Sequence, residues 1–480
     1  MEPAPFVVLG GGPAGLAAAH LLALRGRPVL LLEAGARVGG LARTFEFRGF
    51  RFDLGGHRFF TKNREVEELW RSLLPDDLLT RPRLSRIFYR GRLFHYPLRP
   101  LNALAGLGLL RSARVFGSFA WRRLAPKRPE KSFEDWVSNR FGPRLYRLFF
   151  QTYTEKVWGI PCAELSADWA AQRIRNLNLG RAILDALGLG RKGQVASLID
   201  RFQYPRLGPG QMYEALAAQA LAAGARLRLS ARAAGLRHDG ARVTAVLLES
   251  GGRREEIPAA AVVSTVPLSE LAQAFDPPLP EEVRTAAFGL RYRSLIAVNL
   301  LIRASRLLPD TWIYLHAPEV RAARAQFYKN WSPEMVPGAE WSSVGMEYFV
   351  NEGDELWSAP DEELLRIARQ DFAELKLSSA PPELEGMVAR YAKAYPIYDP
   401  GYQERVAAVR RGLARFPNLA CAGRYGQFRY NNMDHSILTG RLAARRMLGE
   451  DLDPWAVNEE AEYLEEARQD QATREARGDA

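Results

Sequence analysis

The sequence predicts an α/β protein in which one domain is assembled from separated parts of the chain. Three observations carry this prediction. A strand, a glycine-rich turn, a helix and a second strand open the chain within residues 6–33. Patterns of the same kind return in residues 212–266 and 416–448, and stretches rich in helix or strand signals lie between them. Alternating strands and helices are typical of a sheet covered by helices, and the interruptions indicate inserted domains.

The N-terminal unit has the clearest pattern. Phe6–Leu9 and Val29–Leu32 are short apolar runs of the kind found in buried strands, and the second run ends at Glu33. Pro13–Leu24, between them, has apolar residues at helical spacing. This order predicts a strand-helix-strand unit.

Later elements are placed by the same signals. Met212–Ala223 predicts a helix, and His238-Asp239-Gly240 predicts a hairpin turn between the strands 233–237 and 242–248. Residues 62–150 are predicted to be mostly helical, with aromatic and basic residues interleaved. Further strands are predicted at Arg226–Leu229, Ala261–Val266, 290–302 and 341–350.

The composition excludes several classes of protein. The chain has 480 residues, 47% hydrophobic and 25% charged, the balance of an ordinary folded protein of two or three domains. Cys162 and Cys421 are far apart and fit neither a disulfide framework nor a metal site, which favours a reducing, cytoplasmic compartment. The sequence shows no basic leader and no apolar run of membrane-spanning length.

The charge balance favours an anionic partner. The formal charge is +11, from 66 Lys and Arg against 55 Asp and Glu. Since no nucleic-acid-binding module is recognisable, we expect an anionic small molecule rather than nucleic acid. The basic, aromatic segment 81–131 leaves peripheral contact with a membrane open, and the sequence does not predict an oligomeric state.

The glycine-rich turn Gly10–Gly15 indicates a dinucleotide site. It has the spacing G-x-G-x-x-G, directly after a strand and opening a helix. The glycines allow a tight turn and a close approach to a pyrophosphate, and the helix N-terminus offers unpaired N–H groups. Glu33 ends the second strand, where an acid can bind both ribose hydroxyls.

A second glycine pair favours FAD over NAD. Arg37-Val38-Gly39-Gly40-Leu41-Ala42 follows Glu33 within a few residues. It matches the pair that FAD-binding proteins of the glutathione-reductase-like clan carry, and its amides would approach the second phosphate and the ribityl chain. The flavin contacts predicted so far are Gly10, Gly12, Pro13, Ala14, Gly15, Glu33, Ala34, Arg37, Gly39, Gly40, Leu41, Ala42 and Ala233.

Several motifs resemble those of UDP-galactopyranose mutases, which share their clan with protoporphyrinogen and amine oxidases. Gly55-Gly56-His57 followed by an aromatic residue resembles the motif that lies beside the flavin ring in that family. Gly91–Arg99, Ser132–Phe141 and 153–159 are similar to its later segments, and 423–426 with 434–436 resemble its C-terminal turn and helix. The resemblance adds to the flavin contacts Gly55, Gly56, His57, Gly423, Arg424, Asn432, Met433 and Ser436.

The resemblance implies a reaction and roles for particular residues. In that family, N5 of reduced FAD attacks the anomeric carbon of a nucleotide-linked galactopyranose, which becomes a furanose for cell-envelope polysaccharide. Arginines would stabilise the departing diphosphate, and NAD(P)H would be a transient reductant. The resemblance implies catalytic roles for His57, Arg173, Arg303 and Arg424, and substrate contacts from Tyr96, Trp158, Tyr314, Tyr395 and Tyr430. No metal site is expected.

The alternative is an FAD-dependent oxidoreductase, an oxidase or desaturase of the protoporphyrinogen or amine oxidase type. It would have an apolar substrate channel instead of one lined by arginines. Both alternatives share the same predicted architecture: a Rossmann-like FAD-binding domain, a mainly helical inserted domain, a substrate domain rich in β-sheet and a charged tail. The predicted boundaries are 1–80, 195–275 and 410–450 for the first, 81–194 for the second, 276–409 for the third and 451–480 for the tail.

Overall fold

The computed structural model of the chain describes residues 3–96, 102, 106–167 and 199–457. Within these residues it has the α/β class that the sequence predicts, with several sheets and helices packed on them. Arg173, with the rest of residues 168–194 of the predicted helical domain, and the tail beyond Val457 lie outside the described residues.

The strands form five sheets in the described residues. They are β1 (Phe6–Leu9), β2 (Val29–Leu32), β3 (Thr44–Phe47), β4 (Phe50–Asp53), β5 (Leu78–Pro82), β6 (Ser85–Tyr89), β7 (Arg92–His95), β8 (Arg201–Pro205), β9 (Arg226–Arg228), β10 (Arg232–His238), β11 (Val243–Ser250), β12 (Arg253–Pro258), β13 (Ala261–Ser264), β14 (Phe275–Asp276), β15 (Tyr292–Ile302), β16 (Trp312–Leu315), β17 (Arg324–Phe327), β18 (Ser342–Val350), β19 (Pro382–Pro396) and β20 (Leu419–Cys421).

The helices that the structure describes are numbered in the same way. They are α1 (Pro13–Leu24), α2 (Arg64–Leu73), α3 (Leu109–Leu124), α4 (Phe133–Phe141), α5 (Pro143–Tyr146), α6 (Thr152–Trp158), α7 (Pro209–Ala222), α8 (Leu268–Gln273), α9 (Glu281–Phe288), α10 (Tyr328–Trp331), α11 (Glu355–Ser358), α12 (Asp361–Leu375), α13 (Tyr402–Leu413), α14 (Gly423–Gly426) and α15 (Met433–Met447), with short helical turns at Gly40–Ala42, Arg147–Gln151, Pro333–Met335 and Pro454–Ala456.

A five-stranded parallel sheet, in the order β20–β13–β1–β2–β9, forms the first core. Its central strand β1 pairs in parallel with β2 and β13, and its strands come from three separated parts of the chain. Because the carboxyl ends of parallel strands meet at one edge, the turn after β1, Glu33 after β2 and the turn after β20 are brought together.

Helices α1 and α15 cover one face of this sheet and touch each other closely. A Cβ added at Gly440 in α15 would lie 2.0 Å from the carbonyl oxygen of Ala14 in α1. A Cβ at Gly423, the first residue of α14, would lie 2.9 Å from the Cβ of Ala14. The C-terminal turn therefore packs directly against the first turn of the N-terminal helix.

A seven-stranded sheet, in the order β19–β15–β18–β17–β16–β6–β7, forms the second large layer. Strand β18 is buried along its whole length, and β15 is buried except at Tyr292. Strands β6 and β7 join the edge of this sheet through β16. The prediction of a mainly helical segment from residue 81 therefore misses two strands, because aromatic residues in short runs resemble a helix face as much as a strand.

The remaining sheets are smaller. Strands β12, β11, β10 and β14 form a four-stranded sheet beside the parallel one, and β3–β4 and β5–β8 are two-stranded. None of the helices in residues 3–96, 106–167 and 199–457 is both long and apolar enough to cross a bilayer.

Candidate active site

The turn between β1 and α1 has the geometry that a pyrophosphate requires. Gly10 has a φ of 97°, and a Cβ at Gly15 would lie 1.8 Å from the carbonyl oxygen of Gly10, so only glycine fits there. Helix α1 begins with Pro13, has no side-chain cap and has no acidic residue in its first turn. The amides and the positive end of the helix dipole are therefore available to an anion.

Glu33 lies across the turn from these glycines. Its two carboxylate oxygens accept hydrogen bonds from the amides of Gly11 (2.6 Å) and Gly35 (2.7 Å). These bonds fix the carboxylate at the end of β2, and a carboxylate keeps further lone pairs for other donors. Glu33 can therefore accept hydrogen bonds from ribose hydroxyls.

The second glycine pair closes over the first turn. Gly39 and Gly40 have φ values of 105° and 54°, and a Cβ at Gly40 would lie 3.1 Å from the Cα of Gly12. Arg43, which sequence reasoning missed, follows directly, with its guanidinium 5.3 Å from the ring centroid of Tyr391. The two backbone turns form one cradle for phosphates, and Arg43 packs beside it on Tyr391.

A cavity of about 1170 Å³ runs from this cradle to the C-terminal turn. It is larger than most pockets for small ligands, which hold roughly 300–1,000 Å³, and a flavin dinucleotide fits it. The predicted flavin contacts that line it are Gly10, Gly12, Pro13, Ala14, Glu33, Ala34, Gly40, Leu41, Ala42, Ala233, Gly423, Arg424, Asn432, Met433 and Ser436.

Six predicted flavin contacts do not line this cavity. Gly15 faces the backbone of Gly10 and acts through packing, and Gly39 is buried against Arg43. Arg37 is exposed and does not line the cavity. Gly55, Gly56 and His57 lie towards the seven-stranded sheet instead: a Cβ at Gly55 would lie 3.5 Å from the carboxylate of Glu347.

Arg424 joins the cavity to a group of aromatic side chains. It lines the cavity, donates from Nε to the carbonyl of Asn431 (3.0 Å) and from Nη1 to that of Ala394 (3.2 Å). Its guanidinium lies 4.5 Å from the ring centroid of Tyr430 and 5.3 Å from that of Tyr395. The two carbonyls fix the guanidinium in one orientation over both rings.

His57 is neutral in this environment. Its Nδ1 lies 3.1 Å from the carbonyl oxygen of Gly55. Burial lowers the pKa of His57 to about 3, the positive charges of Arg424 and Arg324 act in the same direction, and the bond to Gly55 opposes them. A neutral imidazole can hydrogen-bond a flavin or substrate, and it carries no proton to give as an acid near neutral pH.

Arg324 is a residue of this site that sequence reasoning missed. Its Nε lies 2.6 Å from Oε2 of Glu347 on the neighbouring strand, and its Nη2 donates to the hydroxyl of Tyr395 (3.0 Å). Burial lowers the pKa of Arg324, but Glu347 and three surrounding tyrosines outweigh it and hold that pKa well above its ordinary value. Arg324 is therefore a permanent cation.

Five tyrosines, here called the tyrosine cluster, surround these two arginines. Ring centroids of Tyr96 and Tyr314 are 4.9 Å apart, those of Tyr153 and Tyr314 are 5.4 Å apart, and those of Tyr395 and Tyr430 are 5.6 Å apart. Four of the five substrate contacts predicted from sequence belong to this cluster. The fifth, Trp158, is buried with its ring centroid 6.4 Å from that of Tyr395.

Two more arginines lie on the Tyr96 side of the cluster. The guanidinium of Arg83 is 5.4 Å from the ring centroid of Tyr96 and 5.6 Å from that of Trp312. That of Arg58, which follows His57, is 4.8 Å from the Trp312 centroid. The site is therefore rich in guanidinium groups as well as aromatic rings.

Arg303 is not part of this site. It is exposed at the end of β15, with its guanidinium 5.9 Å from the ring centroid of Trp341. Ten residues of strand, roughly 30 Å, separate it from Arg293, which pairs with Tyr395. The prediction placed the second arginine at the wrong end of β15, and Arg324 on β17 takes the position beside Tyr395.

No group of three or more His, Cys, Asp or Glu side chains in the described part of the chain could hold a metal ion. Cys162 and Cys421 are both free and buried.

This fold and cavity define a dinucleotide-binding α/β flavoprotein. Residues 13–448 match the family described as flavin containing amine oxidoreductase, and the chain belongs to that family. Coproporphyrinogen III oxidases are 26% identical over most of the chain. The protein of Propionibacterium freudenreichii aligns over 477 residues, covering 87% of this chain and 86% of that one. That of Mycobacterium tuberculosis aligns over 458 residues, covering 88% and 93%.

Among solved structures, reduced UDP-galactopyranose mutase is similar in fold. The TM-score is 0.81 with 21% identity, covering 95% of this chain and 98% of that one. At this identity the likeness concerns the fold, and the chemistry has to be argued from the site.

Proposed function

We propose that the protein is a flavin-dependent mutase of a nucleotide-linked sugar, of the type that converts UDP-galactopyranose to its furanose form. The observation that carries the proposal is that Tyr395 contacts two guanidinium groups. Arg324 donates to its hydroxyl at 3.0 Å, and Arg424 lies 5.3 Å from its ring centroid. Arg424 lines the cavity that fits the flavin, and Tyr395 connects Arg324 to it, so a diphosphate at the mouth of the cavity would meet both cations.

The charge balance around Tyr395 also favours an anion. Glu347 contributes one carboxylate to Arg324, Arg424 donates to backbone carbonyls, and His57 is neutral. Two cations against one anion leave a net positive charge in a buried place, where a charge interacts strongly. A substrate diphosphate would complete the balance.

A bound reduced FAD would supply a nucleophilic N5 atom for the anomeric carbon. The chain's own residues have three tasks. Arg324 and Arg424 hold the diphosphate and stabilise its charge as it departs. Neutral His57, close to Arg424 and Arg324, offers a hydrogen bond to the substrate without adding a charge. Tyrosine hydroxyls from the tyrosine cluster orient the sugar.

The nucleoside would bind on the Tyr96 side of the cluster. Tyr96, Arg83, Arg58 and Trp312 form a continuous set of ring and guanidinium contacts there. Planar aromatic and guanidinium groups stack well on a base. Trp158 lies behind Tyr395 and would hold it in place.

The direct test is turnover by the reduced protein. Dithionite-reduced holoprotein is incubated anaerobically with UDP-galactopyranose, UDP-glucose and other nucleotide sugars, and furanose products are sought by chromatography. We expect a furanose from one of them, and none from the oxidised protein. Absence of turnover, together with no shift of melting temperature by any nucleotide sugar or free UDP, would reject the proposal.

The second candidate is an oxidoreductase, which family membership and the coproporphyrinogen oxidase relatives favour. It requires that the substrate itself bleach the oxidised flavin and that oxygen or another acceptor restore it. Anaerobic mixing of the oxidised protein with porphyrinogens and amines tests this. Bleaching that survives the double change Arg324→Lys and Arg424→Lys would favour this candidate over the mutase.

The reductant is part of the proposal as well. We propose NAD(P)H as the electron donor. Because the glycine turn after β1 belongs to the flavin cavity, NAD(P)H would bind only transiently and not at a dinucleotide turn of its own. Anaerobic bleaching of the flavin by NADH or NADPH, followed in the absorbance spectrum, tests it. A rate that stays at the level of free flavin would point to another donor.

A further inference from the structure

Helix α3 carries an exposed apolar face away from the site. Trp121 and Leu124 are 68% and 84% exposed, and Leu110 and Phe116 are 67% and 55% exposed. Four of the nine large hydrophobic side chains exposed in the described residues therefore stand on this one helix. Apolar side chains scattered singly need no explanation, but a cluster of this kind marks an interaction surface.

The surroundings of this face carry positive charge. The sequence has no Asp or Glu between Asp77 and Glu130, whereas Lys and Arg recur throughout. On the helix itself, Arg111, Arg114 and Arg123 are exposed beside the apolar face. An amphipathic helix with Trp and Leu on one face and cations around it is the pattern of helices that lie in a lipid interface.

A basic pocket lies at the C-terminal end of α3. It has a volume of about 300 Å³, and its lining includes Arg122, Arg123, Arg128, Arg140 and Glu130. Glu130 is already bound, since its carboxylate accepts from Arg140 (2.9 Å) and from Asn139. The buried Nε of Arg122 has no hydrogen-bond partner among the described residues. The pocket therefore has guanidinium groups in excess over carboxylates, as a phosphate site requires.

We propose that α3 and this pocket dock the protein on an anionic membrane surface. Trp121, Leu124 and Leu110 would enter the level of the headgroups, with the helix lying along the surface for about 24 Å. The pocket at its end would take a lipid phosphate. Lipid is favoured over a second protein because exposed arginines flank the apolar face and a phosphate-sized basic pocket lies at the end of the same helix. The proposal is independent of the reaction that the flavin site performs.

The experiment measures binding of the full-length holoprotein to vesicles by flotation. One set consists of phosphatidylcholine, and the other contains phosphatidylglycerol as well. We expect binding to the anionic vesicles, weak binding to the neutral ones, and release at high salt because screening weakens the contribution of the charges. Equal binding to both sets, or to neither, would overturn the proposal.

Two pairs of variants separate the contributions. The double variant Trp121→Ser, Leu124→Ser removes apolar contact with the membrane. The double variant Arg122→Gln, Arg123→Gln should weaken partitioning of the protein onto anionic vesicles about thirtyfold, which is the loss expected for two cations near an anionic surface. The matched controls are Leu384→Ser, which changes a side chain that is 78% exposed elsewhere, and Arg253→Gln with Arg411→Gln at two exposed positions. Flavin content and absorbance check that each variant is folded.

Three other outcomes would each reject docking on a membrane. If the controls weaken binding as much as the α3 variants, the attraction is only that of a basic protein, and the proposal fails. If Trp121→Ser with Leu124→Ser instead dissociates a concentration-dependent oligomer and leaves flotation with vesicles unchanged, the apolar face of α3 binds a second copy of the chain. If inorganic phosphate displaces the protein far better than chloride of equal ionic strength, while Trp121→Ser has no effect, the pocket binds a soluble anion.

Discussion

Arg324 and Glu347 face each other across the antiparallel pair β17–β18, with Nε and Oε2 2.6 Å apart and the carboxylate fully buried. The pair stands beside Tyr395, at the centre of the proposed diphosphate site. A buried ion pair of this kind contributes little net stability when intact, but removing one partner leaves an uncompensated charge. The first two predictions concern this pair.

Changing Arg324 should affect nucleotide binding more than the flavin. We expect Arg324→Lys to weaken UDP binding roughly tenfold or more, because lysine cannot hold a diphosphate through two parallel bonds. Flavin content should stay unchanged. The measurement is a titration of the flavin spectrum with UDP. Arg303→Lys is the matched control, since Arg303 is exposed on Trp341, and an equal loss in both variants would contradict the assignment.

Replacing the carboxylate of Glu347 should make the stability of the protein depend more strongly on bound anions. Glu347→Gln leaves Arg324 buried without its counter-charge, which costs about 3–5 kcal/mol. We expect a lower melting temperature and a larger rise on adding UDP than in the unchanged protein. Melting curves with and without UDP test this. If UDP raised the melting temperatures of the variant and the unchanged protein equally, UDP would not bind beside Arg324.

Asp53 should make stability depend on pH. Burial raises the pKa of this carboxyl to about 7, although hydrogen bonds from Tyr204 and Thr44 act in the opposite direction. Because the folded pKa exceeds the unfolded value near 4, the folded state holds an extra proton in between. The contribution of Asp53 to stability is therefore fully present below about pH 4 and is lost as the pH rises through about 7.

The variant Asp53→Asn isolates this contribution. Urea unfolding at several pH values between about 4 and 8 should show that the stability of the unchanged protein falls relative to that of the variant as the pH rises. The expected difference is on the order of a few kcal/mol, from about 1.4 kcal/mol per unit of pKa. Parallel profiles in the two proteins would mean that Asp53 ionises as an exposed aspartate does.

The first glycine turn should tolerate no side chain at Gly15. A Cβ there would lie 1.8 Å from a backbone oxygen, so we expect Gly15→Ala to be purified without flavin and with lower stability. The absorbance ratio of flavin to protein measures this. Gly117→Ala is the matched control, because a Cβ at Gly117 meets nothing within 4 Å and alanine favours the helix. Retained flavin in Gly15→Ala would contradict the pyrophosphate assignment.

The elements that local sequence predicts well are those with strong patterns of their own. Phe6–Leu9, Pro13–Leu24 and Val29–Leu32 are observed as predicted, because their apolar spacing has one interpretation. The predicted helix Met212–Ala223 is observed as Pro209–Ala222. Strands β6 and β7 were missed, since their membership of the sheet depends on pairing with β16, far along the chain.

Arg324 shows why part of the site escapes sequence reasoning. Its strand has only four residues, and its role arises from Glu347 and Tyr395, which are distant in sequence. A signal existed nonetheless: Arg324 follows two alanines, and Glu347 interrupts a buried strand. A cation and an anion in two apolar strands are candidates for a buried pair. Arg303 instead ends its strand, which is also where solvent-exposed arginines occur.

The close contact between α1 and α15 has a consequence for the order of events during synthesis. The phosphate cradle forms from the first residues translated, yet Gly440 and Gly423 must pack on Ala14 before the cavity has its second wall. A ribosome-bound chain that ends before α15 therefore has half a binding site. We expect the flavin to be captured late, when the last helix reaches the first, so that loading with cofactor reports completed translation.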